Sequence, residues 1–267
     1  MKRDAVTTAV KGMFVGGTML VPGVSGGSMA MILGIYDRLV SAVSSFMKHK
    51  KESVLFLGLF SLSGAAGMIL FARPLLSLID SYPMPMLYFF IGAAAGGIPM
   101  IYKKTGISRL SWRVLIYPAA GMAVLWLLSR LPSDAFQTSG TGITVYLMLA
   151  AAGIIAAIAL VLPGISVSYM LLLMGMYDET MRAISGFYLP YLIPLGAGII
   201  LGIILTTKLL ETAMTRYPQP TYLIILGFIL SSVMEVFPGI PGGMELILCL
   251  AMLLAGFGVI HILSRNE

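Results

Sequence analysis

Charged side chains are scarce in this chain of 267 residues. They occupy 10% of the positions, whereas apolar residues occupy 58%, and the mean hydropathy is +0.97. A soluble domain carries about 25% charged residues. Long uncharged runs also exclude the alternating pattern of a membrane β-barrel. The composition therefore predicts an all-α polytopic membrane protein, because a helix satisfies its own backbone hydrogen bonds in lipid.

Cysteine and histidine are also rare, with one Cys249 and two histidines in the whole chain. A single cysteine excludes an intrachain disulfide and argues against a cysteine-based metal site. We therefore expect no metal and no cofactor. The net charge of +6 is typical of basic cytoplasmic loops in a membrane protein, and we expect no nucleic-acid partner.

Two of the apolar runs are interrupted. Residues 12–36 contain Pro22-Gly23, and residues 143–177 contain Pro163-Gly164. Proline removes a backbone donor and glycine admits unusual dihedral angles, so a helix should stop at each pair. Most of the remaining runs approach the roughly 20 residues that span a bilayer.

The two interrupted segments are copies of each other. Residues 22–37 align with residues 163–178 and share a proline, two glycines, a serine, a methionine, a tyrosine and an aspartate. Further on, with a shift of six residues, the repeat continues in the pairs Gly67 and Gly202, Arg73 and Lys208, and Gly92 and Gly227. The duplication predicts two inverted repeats, 1–135 and 136–267, each a re-entrant helical hairpin followed by three transmembrane helices.

Basic residues orient these repeats. With the N- and C-termini in the cytoplasm, only Arg73, Arg130 and Arg182 of the 17 lysines and arginines fall on the outer side. The other 14 fall on the cytoplasmic side, which is the bias expected of a membrane protein.

The residues after each proline predict an anion site. A helix that restarts inside the membrane offers unpaired amides and partial positive charge to a phosphate or a carboxylate. Small and hydroxyl-bearing residues follow both breaks, and the candidates are Ser25, Gly26, Gly27, Ser28, Ser166 and Ser168. The alternative is that these serines only cap helix ends.

Charged residues near the repeats are further candidates. Arg38 and Arg182 are candidate phosphate-binding gates, since a guanidinium matches a phosphate bidentately. The candidate relay or coupling residues are Arg73, Lys208, Glu235, Asp37 and Asp178. The alternative for these residues is structural, as helix caps, loop-edge carboxylates or basic side chains that extend to the membrane surface.

The motif Gly16-Gly17-Thr18-Met19-Leu20-Val21-Pro22-Gly23-Val24-Ser25-Gly26-Gly27-Ser28, followed by Gly34-Ile35-Tyr36-Asp37 and by Leu162–Ser166, resembles the PopT-type undecaprenyl phosphate transporters of bacteria. The resemblance covers essentially the whole chain. It implies a flippase of the bacterial cytoplasmic membrane that recycles undecaprenyl phosphate for cell-envelope synthesis, with lipids as partners and no enzymatic activity. A coupling proton and a homodimer are left open as further partners.

Two other functions stay open at this point. A small-anion secondary transporter would use the same donors. An intramembrane serine hydrolase of the rhomboid kind would use the short motif Gly23-Val24-Ser25-Gly26, with His261 as the base.

Overall fold

We describe the fold from a computed structural model of the chain, which covers residues 2–19, 25–107, 111–130 and 142–265. The first half contains α1 Lys2–Thr18, α2 Gly26–Ile32, α3 Tyr36–Ser44, α4 Lys50–Ser81, α5 Pro83–Lys104 and α6 Arg113–Leu128. The second half contains α7 Ile143–Val161, α8 Val167–Leu173, α9 Tyr177–Ser185, α10 Leu189–Arg216, α11 Pro218–Val236 and α12 Met244–Arg265.

Six helices are long and apolar enough to cross a membrane, and they are α4, α5, α7, α10, α11 and the α12 segment Met244–Ile262. The prediction of an all-α polytopic membrane protein is confirmed. The shorter α6 has 16 residues, and α7 has 19. The predicted boundary between the halves at residues 135 and 136 lies outside the described residues.

The order of helices is the same in both halves. Each half has one helix, a seven-residue helix, a nine-residue helix, one long helix and two more. The seven-residue helices also end alike, at Gly34 and Gly175, with φ of 65° and 68°. The next residue donates its N–H to the sixth carbonyl back, Ile35 to Ala30 and Met176 to Leu171. These hydrogen bonds are those of a Schellman motif, in which glycine takes the left-handed position.

Close glycine contacts reveal the direction of the first helices. A Cβ on Gly16 would lie 2.0 Å from the Gly64 carbonyl oxygen, and one on Gly67 would lie 2.1 Å from that of Met13. Helices α1 and α4 therefore run side by side in the same direction. The chain between them must return to the side on which α1 begins, which is the path of a hairpin.

The second half packs in the same way, α7 against α10. A Cβ on Gly198 would lie 2.1 Å from the Ala150 carbonyl oxygen. The later helices pair across the halves, α5 with α12 and α6 with α11.

Helices α5 and α11 occupy equivalent places in the two halves and run in opposite directions. Tyr88, near the start of α5, donates a hydrogen bond to the carbonyl of Gly239, beyond the end of α11. At the other end, the Lys104 ammonium lies 5.7 Å from the ring of Tyr222, near the start of α11. Opposite directions are expected of inverted repeats. The inverted arrangement in a membrane stays a prediction.

The α5–α12 contact generates a test on a single helix. A Cβ at Gly256 would lie 2.0 Å from the Phe89 carbonyl oxygen, whereas one at Gly258 would meet nothing within 4 Å. We expect Gly256→Ala to lower the melting temperature of the purified chain in detergent by several degrees, because backbone must move to admit the methyl group. Gly258→Ala should be neutral or stabilising by up to about 1 kcal/mol, since alanine favours a helix. Equal effects at both positions would contradict this packing.

Candidate functional site

The second helix break is enclosed by protein. Pro163 is fully buried, and Gly164 has a φ of 91°. A Cβ at Gly164 would lie 2.5 Å from the Phe228 carbonyl carbon, so glycine is required both by the backbone angle and by the contact with α11. Irregular backbone is tolerated at membrane depth when protein surrounds it.

The first break lies against the second. Pro22-Gly23 itself is outside the described residues, and the description resumes at Ser25, which is extended with φ −81° and ψ 131° directly before α2. A Cβ on Gly27 would lie 3.2 Å from the Cα of Pro163. The structure thus brings the two copies of the motif into contact.

A small cavity of about 30 Å³ opens beside the first break. Ser25 and Ser28 line it, together with Ser232 of α11. Ser25 makes no capping hydrogen bond with its side chain. Ser28 is 7% exposed, and its hydroxyl has no hydrogen-bond partner. A buried hydroxyl without a partner costs about 1–3 kcal/mol, so a ligand oxygen or a water would be favoured here.

A large cavity of about 540 Å³ opens beside the second break. Its polar side chains come from three elements, Ser129 after α6, Ser166 before α8, and Ser231 and Glu235 of α11. The volume is sufficient for a phosphate group and its hydration water. Hydroxyls donate hydrogen bonds to phosphate oxygens, whereas an ionised carboxylate only accepts them.

Helix α11 separates the two cavities. Ser232 faces the small cavity, and its neighbours Ser231 and Glu235 face the large one. One helix therefore presents hydroxyls on both sides of the contact between the breaks.

Arg130 lies near the mouth of the large cavity. Its guanidinium stacks 5.0 Å from the ring centroid of Trp126, and Trp126 lines the cavity. Sequence reasoning used Arg130 only to orient the chain. The available signal was the spacing of four residues between Trp126 and Arg130, which brings both side chains to one helix face.

Asp37 and Arg38, at the start of α3, lie away from both cavities. Arg38 forms a bidentate ion pair with Asp4 of α1, at 2.7 and 3.0 Å, and this hydrogen bonding holds the pKa of Asp4 below its ordinary value. Asp37 pairs with Lys104 of α5 and accepts a hydrogen bond from Tyr222 of α11 at 3.3 Å. These contacts tie α3 to three neighbouring helices.

The equivalent residues of the second half are less engaged. Asp178 and Arg182 are exposed, and the Arg182 Nε donates only to the backbone carbonyl of Asp178, at 3.3 Å. Arg73 and Lys208 are also exposed, within the long helices α4 and α10. None of these four residues lines the cavities just described.

Three more predicted residues complete the account. Ser168 is exposed and absent from the lining of both cavities. Gly26 and Gly27 are half-buried, and Gly26 packs against Met19, whose sulfur would lie 2.8 Å from an added Cβ. Within the described ranges, no group of His, Cys, Asp and Glu is arranged to hold a metal ion.

The hydrolase alternative needs a base beside Ser25. His261 stacks on the ring of Phe257, with 5.5 Å between the centroids. It is not among the described residues that line the cavity of Ser25.

Comparison with known proteins gives a consistent result. A family model described as undecaprenyl phosphate translocase-like matches residues 15–242. A polyprenyl-phosphate transporter of Staphylococcus aureus is 31% identical over 272 residues, covering 96% of this chain and 95% of the relative. A polyprenyl-phosphate transporter of Vibrio cholerae is 30% identical over 252 residues, covering 87% and 78%. No solved structure matches the chain.

The family match covers most of the chain, including Ser25, both cavities and the second break. Both relatives also align over most of their length, so the likeness is not confined to one motif. The chain belongs to the undecaprenyl phosphate translocase-like family.

Proposed function

We propose that this protein carries a polyprenyl phosphate, undecaprenyl phosphate in particular, from the outer to the cytoplasmic leaflet of a bacterial cytoplasmic membrane. The observation that carries the proposal is the contact between two broken helices, with serine-lined cavities on either side of α11. The names of the two relatives identify the chemical class of the substrate. A charged headgroup crosses hydrocarbon at high cost, so it needs such a polar passage.

The large cavity is the proposed first site for the phosphate. Arg130 at the mouth supplies positive charge, and its stacking on Trp126 keeps the planar guanidinium oriented for a phosphate. Ser166 and Ser231 then supply hydroxyls farther in. The prenyl chain remains in the apolar surroundings throughout.

The small cavity is the proposed next site. The Ser28 hydroxyl is buried and has no partner, which leaves its hydrogen available to a phosphate oxygen. At about 30 Å³ the cavity holds roughly one water. The phosphate would enter only when the breaks move apart, so we propose that this cavity opens as the large one closes.

The two ends of α11 differ in a way that fits alternating access between two inverted repeats. At its start, Tyr222 and Asp37 belong to the cluster that closes α3 against α1 and α5. At its end, Glu235 lines the open large cavity. Basic residues accumulate at the closed end, including Arg38, Lys104 and Arg113, which supports a cytoplasmic position for that end and for both termini.

Glu235 is the proposed proton-coupling residue. Its carboxyl group shares the large cavity with the proposed phosphate site. Two unit negative charges ~6 Å apart repel each other by about 3 kcal/mol at an effective dielectric constant of ~20. Binding of the phosphate therefore favours a protonated Glu235, and departure of the phosphate favours release of the proton.

Serine substitutions test the phosphate site. We expect Ser28→Ala and Ser166→Ala each to reduce flipping of polyprenyl phosphate in proteoliposomes about tenfold, because a hydrogen bond to a charged group contributes about 1.5–3 kcal/mol. Ser61→Ala, on the exposed face of α4, is the matched control and should flip at the wild-type rate. Wild-type flipping by both site variants, at equal insertion, would remove these hydroxyls from the mechanism.

Glu235→Gln tests the coupling. Glutamine resembles the protonated acid, so this variant should bind polyprenyl phosphate with little dependence on pH, and its flipping should no longer respond to a proton gradient. In the wild type, binding should weaken as pH rises, because the ionised carboxylate repels the phosphate. Glu245→Gln, at the exposed start of α12, should behave as the wild type does. The same pH dependence in Glu235→Gln and wild type would exclude this role for Glu235.

A further inference from the structure

A third cavity, which we call the apolar groove, lies between α1, α4, α5 and α12 and has a volume of about 240 Å³. Its walls include Phe14, Phe71, Leu75 and Phe90. Thr18 is the only polar residue in its lining, and the Thr18 hydroxyl donates to the Val15 carbonyl at 2.9 Å. The groove therefore offers an anion no available donor, and it suits a hydrocarbon.

The apolar groove adjoins the small cavity. Met29 and Phe90 line both of them, so only these two side chains separate the apolar space from the buried hydroxyl of Ser28. On its other side the groove opens outward, because Phe14 and Leu78 at its rim are each 47% exposed. In a membrane, a lipid chain can enter from this side without crossing the protein.

We infer that the apolar groove binds the isoprene units next to the phosphate of the substrate. This inference rests on the proposed function and deepens it. A polyprenyl phosphate joins a polar headgroup directly to a branched apolar chain, and the structure sets a hydroxyl-lined cavity directly beside a hydrocarbon-lined groove. With the phosphate at Ser28, the first part of the chain lies past Met29 and Phe90 and leaves toward lipid between Phe14 and Leu78.

Shape rather than hydrophobicity governs binding in this groove. Lipid tails are as apolar as the groove, so moving a chain from lipid into the groove gains little from the hydrophobic effect. Close packing decides instead. The walls are rigid aromatic rings, with Phe14 and Phe71 at 6.5 Å and Phe89 and Phe90 at 5.6 Å between centroids. Such walls discriminate a methyl-branched prenyl chain from a straight acyl chain.

The test fills the groove and measures chain selectivity. Leu75→Trp adds bulk inside it, and Leu62→Trp makes the same change on the exposed face of the same helix, where Leu62 is 74% exposed. Binding of polyprenyl phosphate and of a straight-chain alkyl phosphate is measured on the full chain in nanodiscs. We expect Leu75→Trp to weaken polyprenyl phosphate binding about tenfold more than alkyl phosphate binding, and Leu62→Trp to leave both unchanged, since tenfold corresponds to about 1.4 kcal/mol of lost packing.

Equal selectivity in Leu75→Trp, Leu62→Trp and wild type would overturn the inference and leave the proposed function standing. Failure of the wild type to bind or flip polyprenyl phosphate would instead overturn the proposed function. If Leu75→Trp does not fold, a polyprenyl phosphate with a photoreactive group on its first isoprene unit is cross-linked to the wild type. Labelling of α4 and α5 peptides that contain Phe71 and Phe90 supports the groove, and labelling confined to other helices contradicts it.

Discussion

The contact between the two broken helices is the constraint on which the rest of this structure depends. Backbone groups that leave a helix inside a membrane must be surrounded by protein or by a wet cavity. Here each break provides part of the surroundings of the other, with Gly27 against Pro163 and Gly164 against α11. Because the breaks meet, the serines that follow them are gathered around one short stretch of α11. A duplicated motif thereby becomes a single polar region between two apolar halves.

The two ends of this polar region are not equivalent, and their difference gives the passage a direction. Ion pairs of Asp37 and Arg38 hold α3 against its neighbours at one end, whereas Asp178 and Arg182 of α9 are exposed at the equivalent place in the second half. Breaking two exposed or half-exposed ion pairs costs little, about 0–1 kcal/mol each. Such a closure is strong enough to favour one state and weak enough to be reversed by substrate binding.

Much of the fold was predictable because its signals are local. Proline and glycine end helices wherever they occur, so the paired motifs predicted both breaks and the matching order of elements. The site was less predictable, because it depends on which residues meet. Ser168 aligns with Gly27 rather than with Ser28, yet a pattern of hydroxyls treats all these serines alike, and the structure leaves Ser168 exposed. Arg38 faces Asp4 across the fold, and Ser231 gains meaning only from the cavity that α6 and α8 complete.

Protection of Ser166 from chemical labelling tests most directly whether a phosphate occupies the large cavity. In a Cys249→Ala background, Ser166→Cys is treated with a membrane-impermeant thiol reagent in the presence of polyprenyl phosphate or of the uncharged polyprenol. The account predicts that the lipid phosphate slows labelling and that the polyprenol does not, because only the phosphate is held beside residue 166. Equal labelling with both lipids would contradict it.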